Sequence, residues 1–208
     1  MPGIHQYWFF IVTAVVLVIT PGQDTFFILG RSLAGGRAAG IAAALGITAG
    51  SVIHTILAAL GLSALLATSP YAFMAVKFAG AAYLIYIGIR ALTTRAAKLP
   101  GEDSRDAGRW DAFRQGIISN LLNPKVALFF LALMPQFIDA ASANKVAAFL
   151  VLGLSFVALG VIWCVVLAVA AAQLRGWFLR RPSMATVLNR VAGAMFIALG
   201  LKLATARQ

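Results

Sequence analysis

From residue 38 to residue 76 the chain carries no formal charge. A segment of that length without Lys, Arg, Asp or Glu argues against a soluble surface, and it exceeds the roughly 20 apolar residues that one bilayer crossing takes. Uncharged stretches at 6–23, 146–174 and 191–201 repeat the signal. Only 11% of the residues are charged and 62% are hydrophobic, whereas soluble domains are about a quarter charged. The expected fold class is an all-α integral membrane protein.

Polar interruptions fall at 31–40 (RSLAGGRAAG), 68–71 (TSPY), 93–114, 138–145 and 175–183. Cutting there leaves six spans, at 6–30, 39–67, 71–92, 112–138, 146–173 and 184–205, each long enough to cross a hydrocarbon core of ~30 Å. They form a single transmembrane domain over 1–208, with a charged linker at 93–111. The N-terminal MPGIHQYW lacks the basic region and small-residue cleavage site of a secretory signal, so the first span is expected to be retained.

The net charge of +11 is spread through short segments between apolar spans, a pattern of membrane topology rather than of nucleic-acid binding. Arg31, Arg37, Arg90, Arg95, Lys98, Arg105, Arg109, Arg114, Arg175, Arg180, Arg181 and Arg190 fall by the connections after spans one, three and five. The opposite side holds Lys77, Lys145, Lys202 and Arg207. The positive-inside rule then puts the odd-numbered connections in the cytoplasm and both termini outside.

The halves echo each other. Pro21 precedes Phe26 and Phe27 by the spacing at which Pro124 precedes Phe129 and Phe130, and AGAAYLIYIG (79–88) resembles AGAMFIALG (192–200). Three spans per half make the second repeat (112–205) inverted relative to the first (6–92). Inverted repeats with paired helix breaks are a common plan of secondary transporters, whose sites lie where the breaks meet.

Both breaks carry a charge. Pro21 and Gly22 interrupt the first span, and Asp24 is then suited to cap a new short helix. In the fourth span Asn123 is the expected cap, Pro124 the first helical residue and Lys125 the next. A charge at the centre of a spanning helix costs ~2.5 to 3.5 kcal/mol, which favours a use for both over a pair of ordinary kinks. Asp24 attracts an ammonium group, whereas Lys125 and the exposed amides attract a carboxylate, so together they suit a zwitterion such as an amino acid. Of the two, Asp24 is the better proton carrier.

TPGQDTFFILGRSLAGGRAAGIAAALGITAG, KFAGAAYLIYIGIRAL and FRQGIISNLLNPKVALFFLALMPQF resemble, in order and spacing, the LysE superfamily of amino-acid exporters, in particular its RhtB (homoserine and threonine resistance) branch. The resemblance spans nearly the whole chain. It implies efflux of amino acids or their derivatives across a bacterial inner membrane, driven by the proton-motive force. It also carries the family's acidic motif onto Pro21, Gly22 and Asp24 and its Asn-Pro-Lys motif onto Asn123, Pro124 and Lys125. Where the family commonly has a second proline this chain has Gln23, which relaxes the break and adds an amide able to contact substrate.

Two further residues are second-tier candidates. His54, alone among apolar neighbours, suits either proton relay or a bond between helices. Asn120 precedes Asn123 by one helical step and could share its face. Glycines 40, 46 and 50, and Gly80, Gly88, Gly193 and Gly200, read as close helix packing. Two histidines and the single Cys164 give neither a metal-ligand cluster nor a disulfide framework, and no nucleotide-binding motif is present, so no cofactor, metal or ATP hydrolysis is expected. The expected partners are an amino-acid substrate, a coupling proton and the lipid bilayer, and a homo-oligomer is compatible with the chain. Two other readings stay open: a cation exporter, and a non-transporting assembly protein in which both breaks are packing features.

Overall fold

The computed structural model describes residues 3–62, 108–139 and 141–173 continuously, with isolated helical residues between 74 and 93 and between 190 and 204. Most of the third and sixth expected spans and of the 93–111 linker fall outside the described residues, as do Gly80, Gly88, Gly193 and Gly200. Every regular element among the described residues is helical.

The apolar run Tyr7–Ile19 forms α1. It stops at Thr20, whose backbone is extended (φ −60°, ψ 119°), because the residue before a proline is pushed out of the helical region and Pro21 has no N–H to continue the ladder. Helix α2, Gln23–Leu57, follows and is itself two arms. At Gly36 φ is +72° and ψ −169°, a left-handed conformation that glycine adopts without a Cβ penalty. The chain doubles back there. A Cβ added at Gly40 would lie 2.1 Å from Ser32 Oγ, although residues eight apart in a straight helix are separated by ~12 Å. Ile28 packs likewise in one cluster with Ala43, Ala44 and Ile47. The interruption expected at 31–40 is thus a tight helical hairpin centred on Gly36. A widened π-helical turn, Ala58–Leu62, extends the second arm.

Helix α3 covers Arg109–Leu121 and α4 covers Pro124–Leu128. A π-helical turn at Phe129–Leu133 and a 3₁₀ turn at Met134–Phe137 carry α4 onward, bent by 46° from α3. Lys145–Gln173 forms α5. By length and composition Gln23–Gly61, which contains the Gly36 turn and so is not one straight span, and Lys145–Gln173 are apolar enough to cross a membrane, and α3 with α4 and its extension passes the same test as a bent pair. On α5, Leu150, Leu154, Ile162 and Val166 form an exposed stripe at helical spacing, the face such a helix turns to lipid.

Helix α2 lies against both α3 and α5, with small residues at its contact with α3. A Cβ on Gly46 would reach Phe113 O at 2.0 Å, and one on Gly116 would reach Ala43 O at 2.6 Å. These backbones touch, as small residues allow in membrane bundles. Two buried clusters flank the middle of the molecule. One, rich in aromatics, joins Phe10 and Leu17 of α1 to Phe129, Phe130 and Phe156. The other joins Ile28, Ala43, Ala44 and Ile47 to Ala112, Cys164 and Ala168. The two helix breaks sit between them.

Candidate functional site

The break at Pro21 leaves a specific debt. Val16 O still receives the Thr20 N–H at 3.0 Å, but the next carbonyl, Leu17 O, would take its hydrogen from residue 21, which as a proline has none. A buried carbonyl needs a donor. It comes from the other break: Lys125 Nζ donates to Leu17 O at 3.2 Å and to Thr20 O at 2.9 Å. Gly22 leaves room for this, since a Cβ there would come within 3.3 Å of Lys125 Nζ. The two breaks predicted from the sequence echo are in direct contact.

Asn123 caps α4 as expected, its side-chain oxygen accepting the Lys125 backbone N–H at 3.0 Å, with Pro124 at the first helical position. The expected cap by Asp24 is corrected. Gly22, in extended backbone, occupies the cap position of α2 and makes no side-chain cap bond, while Asp24 stands inside the first turn. Its carboxylate crosses to α3 instead, where Asn120 Nδ2 donates to Asp24 Oδ2 at 2.8 Å. The other oxygen, Oδ1, is buried and makes no hydrogen bond within 3.5 Å among the described residues, although the Asn123 amide, whose Nδ2 is likewise unbonded, stands beside the carboxylate.

Asn120 is held from two further directions. Ser51 Oγ donates to its Oδ1 at 3.3 Å, and His54 Nε2 lies 3.3 Å from its backbone oxygen. Asn120 does not share a helical face with Asn123, because α3 ends at Leu121 and the chain turns at Leu122. His54 also stacks on Phe130, with centroids 5.6 Å apart, so it ties the second arm of α2 to both α3 and the turn after α4. Gln23 is exposed and donates to Ser119 O at 3.2 Å, so its amide faces α3 rather than the buried centre.

Asp24, Thr25, Ser51, Asn120 and Lys125 all line one cavity of about 40 Å³. The facing wall comes from α5 through Phe156, Gly160, Trp163, Cys164 and Leu167. Sequence reasoning passed over this wall. Its only signal was a spacing of four, three, one and three residues on an otherwise uniform apolar helix, which any packing stripe would also show. The site as a whole offers a carboxylate oxygen without a hydrogen bond among the described residues and a buried lysine ammonium, with apolar surface opposite.

The description LysE type translocator matches residues 15–207, which includes both breaks and all of α5. The chain belongs to the LysE type translocator family. This translocator is similar along almost its whole length to an uncharacterized membrane protein of Pseudomonas aeruginosa, 34% identical over 98% of this chain and 97% of that one. It is also similar to an uncharacterized membrane protein of Vibrio cholerae, 35% identical over 98% of both chains. A leucine efflux protein of Salmonella choleraesuis is 29% identical over 98% of the translocator and 96% of its own length. No solved structure matches the chain.

In this LysE type translocator Gly50 and Asn120 depend on each other. A Cβ on Gly50 would meet Asn120 Oδ1 at 2.7 Å and its Cβ at 2.8 Å, tighter than real contacts allow, so Gly50→Ala is expected to push the amide off Asp24. Overpacking of this kind costs ~1 to 3 kcal/mol. Gly50→Ala and Asn120→Ala should therefore impair transport alike, and their double mutant should be little worse than either alone. Effects that simply add in a transport assay would separate the two residues.

Proposed function

We propose that the chain is a secondary active exporter of amino acids or their derivatives, of the small neutral kind that includes homoserine and threonine, in the RhtB branch of its family. The observation that carries the reading is the meeting of two helix breaks around a cavity in which Asp24 Oδ1 makes no hydrogen bond among the described residues and Lys125 stands nearby. An amino acid's ammonium completes Asp24 Oδ1 by a charge-assisted hydrogen bond. Its carboxylate is drawn to the remaining proton of Lys125, two of whose three already go to Leu17 and Thr20. Asp24 also serves as the proton carrier, with the proton-motive force as the energy source. The leucine efflux relative supports the amino-acid class. The inner membrane of a bacterium, termini on its outer side and six spans in two inverted repeats (6–92 and 112–205) complete the proposal.

A cavity of about 40 Å³ is small beside the ~150 Å³ that admits benzene. Binding therefore requires the walls to part, as expected when one half of a transporter rocks against the other. The test is counterflow of labelled amino acids into proteoliposomes loaded with unlabelled ones. Stimulated uptake for one group of neutral amino acids is the expected result. Uptake for no amino acid by folded protein would favour a cation as cargo, or the non-transporting alternative.

A further inference from the structure

Asp24, Asn120 and Lys125 account for the charged side of the cavity, but α5 brings two features to it that packing does not explain. The first is Gly160. Cβ atoms added at Gly46, Gly50, Gly116 and Gly153 would each collide with backbone or a side chain, which is sufficient reason for glycine there. Among the described residues, a Cβ at Gly160 would meet nothing within 4 Å, and Gly160 lines the cavity. No described side chain occupies the space its missing Cβ leaves beside the cavity. The second feature is Trp163, one turn further along the same face. Its indole N–H is buried and without a hydrogen-bond partner among the described residues, whereas a buried indole N–H ordinarily finds one.

Resting on the amino-acid reading above, we propose that α5 sets the specificity of the site: the substrate side chain lies over Gly160 and the Trp163 indole N–H donates to the substrate carboxylate. The groups around that space, Phe156, Cys164 and Leu167, are apolar or weakly polar, so the subsite selects by size. An indole N–H is a donor only. It adds to the single proton that Lys125 has to offer without placing a second charge in the pocket. Size and headgroup are thus read by one helix face, and the two contributions are separable by mutation.

The experiment is counterflow of alanine, valine, leucine and phenylalanine, measured for the wild type, Gly160→Ala, Gly160→Leu and Trp163→Phe at matched reconstitution and with unfolding midpoints recorded. Gly160→Leu is expected to lower the leucine-to-alanine ratio by about tenfold or more, the scale on which apolar pockets discriminate methylenes. Gly160→Ala should lower the phenylalanine-to-alanine ratio in the same direction by less. It decides the matter if the leucine variant fails to reconstitute. Trp163→Phe keeps the aromatic bulk and loses the donor, so it should raise the half-saturating concentration of all four substrates together and leave their ratios unchanged. Unaltered ratios in a folded Gly160 variant overturn the size subsite, and unaltered half-saturation in Trp163→Phe overturns the donor role. A wild type that counterflows these amino acids while the variants show no change defeats this proposal alone, whereas a wild type that counterflows none of them, nor homoserine or threonine in the same assay, defeats the amino-acid reading with it.

Discussion

Asp24→Asn is expected to bring amino-acid counterflow close to background while the protein folds and reconstitutes normally. The reason is the division of labour between the two carboxylate oxygens. Oδ2 accepts from Asn120 Nδ2, and an asparagine carbonyl can accept the same bond, without the charge assistance. Oδ1, on a residue that lines the cavity, makes no hydrogen bond among the described residues, and in asparagine a donor stands in its place, pointing hydrogens at an ammonium that carries its own. A hydrogen bond to a charged group contributes ~1.5 to 3 kcal/mol, or about 10- to 100-fold in binding, before any loss of proton coupling is counted. The thermal midpoint in detergent should stay level or rise, because a buried charge without a bonded cation is costly to hold and functional sites commonly give up stability. Full counterflow by the variant would remove Asp24 from the transport path and reduce the first break to a kink.

The second large effect is expected at Lys125, and there it is on stability. Lys125→Met retains the length of the side chain but leaves Leu17 O without the donor that replaces the missing N–H of Pro21, and takes one donor from Thr20 O. Each buried carbonyl left without a donor costs ~1 to 3 kcal/mol. A clear drop in the unfolding midpoint should follow, together with loss of transport. Pro21→Ala in the same background provides the control. Alanine restores an N–H at residue 21 and lets α1 run on far enough to satisfy Leu17 O from within, so the double mutant should recover part of the lost stability and none of the transport. If Lys125→Met melts at the wild-type temperature, the lysine is not holding the breaks together.

Both breaks were legible in the sequence because proline and glycine act locally. Pro21 removes an N–H and biases Thr20 out of the helix wherever it stands, and Asn123-Pro124 is a cap whose chemistry lies within four residues. The hairpin turn at Gly36 was legible to within a few residues for the same reason. What failed were statements about direction across the bundle. Asp24 reads as a cap by local rules, but Gly22 takes the cap position and the carboxylate is claimed by Asn120, 96 residues away. Asn120 reads as a companion of Asn123 until the turn at Leu122 separates their faces. On α5 hydrophobicity varies too little to mark a face, so Gly160 and Trp163 became visible only when the opposite wall was in place.

The bond from Lys125 to Leu17 O also has a bearing on biogenesis. When the first half of the chain has entered the membrane, its broken helix contains a carbonyl and a carboxylate whose partners have not yet been synthesised. The α2 hairpin, made from neighbours in sequence, can form at once, but it stays incomplete until Asn120 and Lys125 emerge and dock. The later segment therefore completes the hydrogen bonding of the earlier one. A nascent chain stalled before residue 120 would lack the partners of Leu17 O and Asp24 Oδ2.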